Sequence, residues 1–188
     1  MKKKRTYTVL AIIIAVLALG IGYAAATSTL TVHGNSTITS DFVLDVNFVD
    51  TITKSSSATF TSESATVNAI DASIVDELNV NVTFNFNKDN KDLYVVIPVK
   101  NNSEELDATV AVGTITQISG GNAGYFNDVT ATLYSDSGCS SAFSGTLAKG
   151  ATAYLKVEQS VKNIPANKVT AQAWSVTLTA TGVDTATA

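Results

Sequence analysis

Apolar and polar positions along much of this chain alternate with a period of two. In FVLDVNFVD, Phe42, Leu44, Val46 and Phe48 fall on one face and Val43, Asp45, Asn47 and Val49 on the other. LNVNVTFNFN sets Leu78, Val80, Val82, Phe84 and Phe86 against Asn79, Asn81, Thr83 and Asn85. Successive side chains of a strand point to opposite faces, so this period predicts strands with one buried face and one wet face. LYVVIPVKN continues the pattern with Leu93, Val95, Ile97 and Val99. Pro98 has no N–H for a ladder, which predicts an edge strand or a bulge at that point.

Polar turns are predicted at NKDNKD, residues 87–92, and NNSEELD, residues 101–107. Further strands are predicted in ATVAVGTITQI, in VTATLYS, from about Ala151 to Val157, and in AQAWSVTLTATGV, with SGGNAGYFND as a loop. NAIDASIVDEL, residues 68–78, is the exception and is predicted as a short helical turn. There is no fixed-period repeat. About eight or nine strands without a long helix predict an all-β domain. Such a chain must stack two sheets or close a barrel to cover its apolar faces. The expectation is a two-sheet β-sandwich of jelly-roll or immunoglobulin-like type over residues 41–188.

The N-terminus follows another pattern. Lys2, Lys3, Lys4 and Arg5 precede an apolar run from about Val9 to Ile21, then Gly22, Tyr23, Ala24, Ala25 and Ala26. Basic, apolar and small-residue regions in that order define a secretory signal peptide with an N-terminal hydrophobic helix. Ala24 and Ala26 at −3 and −1 place the cut after Ala26; Gly22 and Ala24 would place it after Ala24. The alternative is a retained membrane anchor, since Val9–Ala26 is 18 residues long, at the lower end of the roughly 17–25 that span a bilayer. Either reading puts the rest of the chain outside the cell membrane, secreted or at the cell surface. Membrane contact is then confined to residues 1–26.

Cleavage would remove four of the 12 basic residues and none of the 16 acidic ones, leaving a net charge of −8. Phosphate contacts need clustered Lys and Arg, so no nucleic-acid partner is expected. Cys139 is the single cysteine, so no intramolecular disulfide forms and stability must come from the core. YSDSGCSSAFSG offers Cys139 no neighbouring base or cation, and it is read as a small, partly buried loop residue.

Candidate chemistry is sparse. His33 is the single histidine, whereas H-E-x-x-H requires two. A catalytic triad would have to use His33 beside the processing site; it is read instead as an exposed residue before Gly34. SGGNAGYFND lacks the Lys and the following helix of a phosphate loop. Asp41, Asp45 and Asp50 flank one strand, and Asn87, Asp89 and Asp92 lie in a polar turn. Calcium takes about six to eight oxygens on a bent loop, and this turn has two lysines, so it is read as a solvated hairpin tip. Trp174 is read as a core or sheet-packing residue. Asn35, Asn81 and Asn101 begin glycosylation triplets, relevant only where asparagine is glycosylated. No catalytic residue, metal or cofactor is expected.

Thr27–Val32 alternates Thr29 and Thr31 with Leu30 and Val32 and carries no charge. Such a strand can pair within its own domain or complete a neighbour's sheet by β-strand addition. Head-to-tail exchange that does not close makes a filament, so the expected partner is a second copy, with other surface proteins as further partners.

A leader ending in GIGYAA, a Leu-Thr-Val-x-Gly strand and an all-β body resemble small surface proteins of Gram-positive bacteria. The chain is similar in pattern to the TasA/camelysin group of biofilm-matrix fibre proteins. That resemblance implies an exported jelly-roll-like body whose N-terminal segment serves as a donor strand. VVIPVKNNSEELDATVAV and AKGATAYLKVEQSV resemble the strand–turn–strand units of immunoglobulin-like surface modules. Pilins with a β-sandwich body are the comparison if the hydrophobic helix is retained. The expectation is a non-enzymatic structural or adhesive surface protein, a subunit of an extracellular fibre or matrix. The alternatives are a monomeric module binding a ligand or host protein, and a membrane-anchored pilin-like subunit.

Overall fold

The computed structural model describes residues 43–62, 65–120, 123–162 and 170–183. Twelve strands occur among them: β1 (Val46–Phe48), β2 (Thr53–Lys54), β3 (Thr59–Ser62), β4 (Ala65–Asn68), β5 (Ile70–Asp76), β6 (Asn79–Phe86), β7 (Asp92–Asn101), β8 (Asp107–Ser119), β9 (Thr130–Tyr134), β10 (Thr146–Leu147), β11 (Thr152–Ser160) and β12 (Thr170–Val183). One 3-10 turn, Ala123–Tyr125, precedes β9.

The strands form two five-stranded antiparallel sheets and the β3–β4 hairpin. In the first sheet β7 lies between β11 on one side and β1 and β2 on the other, with β9 beyond β11. The second runs β10-β8-β12-β6-β5. From β7 onward each strand lies in the sheet opposite to the one before it, so no two consecutive strands pair there.

Both sheets feed one apolar cluster. Val95, Ile97, Leu155 and Val157 come from the first sheet, and Val80, Val82, Phe84, Val176 and Leu178 from the second. All nine are 0–2% exposed. Burying an aliphatic or aromatic side chain of this size contributes roughly 1.5–3 kcal/mol, and the alternating residues of β6, β7 and β11 do so in series. Phe126 follows the 3-10 turn and sets its ring 5.3 Å from that of Phe86. Trp174 on β12 donates its indole N–H to Gln159 Oε1 on β11 at 2.9 Å, a polar tie between the sheets.

Three expectations need correction. Residues 68–78 hold no helical turn; β5 pairs with β6 from Ile70↔Phe84 to Asp76↔Asn79. Ile70, Ile74 and Leu78 are four apart, a spacing that suits a helix face and equally one face of a strand. Pairing with β6 decides between the two, and Asp76 Oδ1 closes the following turn by accepting from Leu78 N. Pro98 lies on neither an edge strand nor a bulge of the β7–β11 ladder, where it pairs in register with Tyr154. Its carbonyl accepts from Val49 N, so its missing N–H faces the same side. There the neighbour is split between β2, opposite Val95 and Val96, and β1, opposite Val99–Asn101. The proline therefore occupies the one gap where no donor is needed. Finally, Asn85 is 6% exposed despite its place on the polar face of β6. The β4–β5 corner folds over it, and Asn85 Nδ2 donates to Asn68 O at 2.7 Å.

Candidate functional site

Three acidic groups line an open hollow of about 310 Å³ at the end of the first sheet, where β7 begins and β11 finishes. Asp92, Tyr94, Asn127, Asp128 and Glu158 contribute to its wall. Lys156 lies beside it, 2.5 Å from Glu158 Oε2 and 4.9 Å from the centre of the Tyr94 ring. The hydrogen bond to Glu158 is the main reason the Lys156 ammonium titrates above the ordinary lysine range, ahead of the opposing effect of burial. The hollow thus pairs part of its own charge internally. Among the described residues, no group of three or more His, Cys, Asp or Glu is placed to hold a metal ion.

Elsewhere polar side chains close turns. Asn87 Oδ1 accepts from the backbone N–H groups of Asp89 and Asn90 at 2.9 and 2.8 Å, so the oxygen offered by NKDNKD is engaged within the turn. At the end of β7, Asn101 is fully buried. Its amide donates to Leu106 O at 2.9 Å and Leu147 O at 3.1 Å, and its Oδ1 accepts from Ser103 N at 3.0 Å. That nitrogen is inaccessible to glycosylation in the folded protein. Asn81 is half-buried on β6.

After β9 the chain turns through Asp136–Ser141. The Asp136 carboxylate accepts from Ser141 N at 2.7 Å and from Ser140 N. These bonds favour the ionised form and hold its pKa below the usual carboxylate range, the Ser141 contact first. Cys139 sits in the same turn, half-buried, with a positive φ of 53°. Burial, more than the nearby charges, pushes its thiol pKa up. The raised value lowers its thiolate fraction, although Lys156, a cation that the local sequence does not supply, acts in the opposite direction.

Trp174 packs against the core as expected. Asp45 and Asp50 remain apart from the acidic hollow, and Asp41 lies outside the described residues. So do Ala24, Ala26, Leu30, Val32, His33 and Asn35, and with them the leader and the first strand segment. No helix among the described residues is long and apolar enough to cross a membrane. Sequence reasoning missed the buried amides Gln159 and Gln172, which are 4% and 2% exposed. Gln159 Nε2 donates to Asn127 O and Gln172 Oε1 accepts from Gln117 Nε2. The two-residue period sets Gln159 in step with Leu155 and Val157, and Gln172 in step with Val176 and Leu178, but no local pattern identifies their hydrogen-bond partners, which lie 32 and 55 positions away.

No family model, no curated protein and no solved structure matches the chain.

Proposed function

We propose that this is an exported, non-enzymatic surface protein whose body is a two-sheet sandwich of jelly-roll or immunoglobulin-like type. Its role is structural: it serves as a subunit of an extracellular fibre or matrix and joins its neighbours by β-strand addition. Thr27–Val32 is the donated strand, with Leu30 and Val32 as the side chains that seat it. The pattern-level resemblance to TasA/camelysin-like proteins points the same way.

One observation carries the reading. A core shared by both sheets is supplied by residues between Val46 and Leu178. The alternating, uncharged strand sequence Thr27–Val32 lies upstream of all of them. A β-forming segment placed ahead of a body with such a core is available for pairing outside it.

The test is assembly of the exported protein. N-terminal sequencing should give Thr27 as the first residue. Size-exclusion chromatography and negative-stain microscopy should show large linear species. Leu30→Lys together with Val32→Lys places two charges where alternate side chains must enter apolar slots, and desolvating them opposes pairing. The expected variant is secreted, folded and monomeric. Filaments formed by it at the normal rate would remove the donor-strand reading. A strictly monomeric parent protein that retains a ligand would establish the binding-module alternative instead.

A further inference from the structure

We propose that the open half of β8, Ala111–Ser119, is the acceptor edge on which Thr27–Val32 of a second copy adds as a further strand; this rests on the strand-addition reading above. β8 pairs with β12 along its whole length. On its other side β10 covers only Ala108 and Thr109, and Val110 N donates to Gly145 O just beyond. Among the described residues, no strand flanks 111–119 on that side. At about 3.3 Å per residue, nine residues present an edge of roughly 30 Å.

Among the described residues, this edge has no paired strand and no charge. Seven of its residues are exposed, Val112 and Ile115 are half-buried, and Ile118 is 54% exposed. AVGTITQIS contains no charge and no proline. Sheet edges are commonly protected by charge, shortness or cover, because a free row of N–H and C=O groups recruits another strand. The other edges of the two five-stranded sheets are charged, short or covered. β5 carries Asp71 and Asp76. β1 and β2 are three and two residues long. β9 has five residues, and its end is covered by the Tyr134↔Ala142 bridge and the Ser135 N to Ser141 O bond.

Two features favour a single donated strand over pairing between two β8 edges. The β8–β12 register shifts between Val176 and Leu178 and again between Ala173 and Trp174. Bulges of this kind bend and twist the edge. Two rigid twisted edges fit each other poorly, whereas a free six-residue strand can follow one. The chemistry also matches, since the side chains of Thr27–Val32 and Ala111–Ser119 are all uncharged and mostly Thr, β-branched or small, with Leu30 and Gln117 as the exceptions. Leu30 and Val32 would extend the half-buried layer of Val112 and Ile115. Exposure of Ile118 in the single chain points to a second copy as the donor.

The experiment uses the full exported chain. Thr114→Lys with Ile118→Lys puts two charges on exposed positions of the edge. The expected result is an unchanged melting temperature and at least a tenfold drop in the assembly rate, as for the Leu30→Lys/Val32→Lys pair. Normal assembly of the edge variant, with loss in the Leu30/Val32 variant, would place the acceptor elsewhere and overturn this inference while sparing strand addition. Normal assembly of both would overturn strand addition itself. In a Cys139→Ser background, Thr31→Cys and Thr116→Cys proteins should form a mixed disulfide when combined. Self-linking by Thr116→Cys alone would mean edge-to-edge pairing. An intramolecular bond in a dilute Thr31→Cys/Thr116→Cys chain would mean closure within one copy. Either of the last two results overturns the inference.

Discussion

Asn101 shows how much one side chain can hold together. It ends β7, yet its amide joins Leu106 O, just before β8, to Leu147 O of β10, and its Oδ1 fixes the turn at Ser103 N. The three contacts tie both sheets to the turn between them. Replacing it with Ala leaves two carbonyls and one N–H buried without a side-chain partner. Each unsatisfied buried group costs about 1–3 kcal/mol, and solvent entry at the turn offsets part of that sum. Asn101→Ala should therefore lose about 2–4 kcal/mol in urea unfolding. Asn101→Asp keeps the acceptor but sets a carboxylate against two carbonyl oxygens, and it should lose at least as much. A change below about 1 kcal/mol for the alanine variant would mean that water replaces the amide at little cost.

At the scale of elements, β8 depends on its irregularity. Gly113 lies at the register shift opposite Thr177, and a Cβ there would meet Thr177 O at 3.0 Å and Thr179 Cγ2 at 3.2 Å. The nearer atom is backbone within a paired strand, so it yields little. Gly113→Ala should lower the melting temperature measurably, with a cost of about 1–3 kcal/mol of the overpacking kind. Unchanged stability would show that the bulge relaxes. The same element marks the limit of sequence reading. The alternation of 78–86 and 93–99 was legible because one buried face leaves a two-residue period. β8 was legible as a strand, but its bulges and its uncovered half were not, since both depend on where β12 and β10 lie. β5 was misread because four-residue spacing fits helix and strand alike. Leu30 and Val32, the residues proposed for assembly, were legible only as alternation, and they lie outside the described residues.

For the whole molecule, charge opposes the association proposed above. With residues 1–26 removed, as the proposed export requires, the chain carries 16 acidic against 8 basic residues. Two such subunits repel on approach. The proposed contact has no ionisable side chain on either side, and after cleavage its one charge is the α-ammonium of Thr27 at the tip of the donated strand, with no carboxylate in Ala111–Ser119 to pair with it. Salt then has a defined sign. It screens the long-range repulsion over a Debye length that shortens from about 30 Å at 0.01 M to about 8 Å at 0.15 M. It weakens no ion pair at the contact, and the apolar and hydrogen-bonded terms remain. Assembly at pH 7, followed by light scattering, should therefore accelerate between 0.01 and 0.15 M NaCl. It should change little above that, because most of the screening is already in place. A rate that falls with added salt would mean that the subunits meet through opposite charges. The contact would then involve the Lys-bearing surface near Lys156 or the 87–92 turn, and not the bare edge of β8.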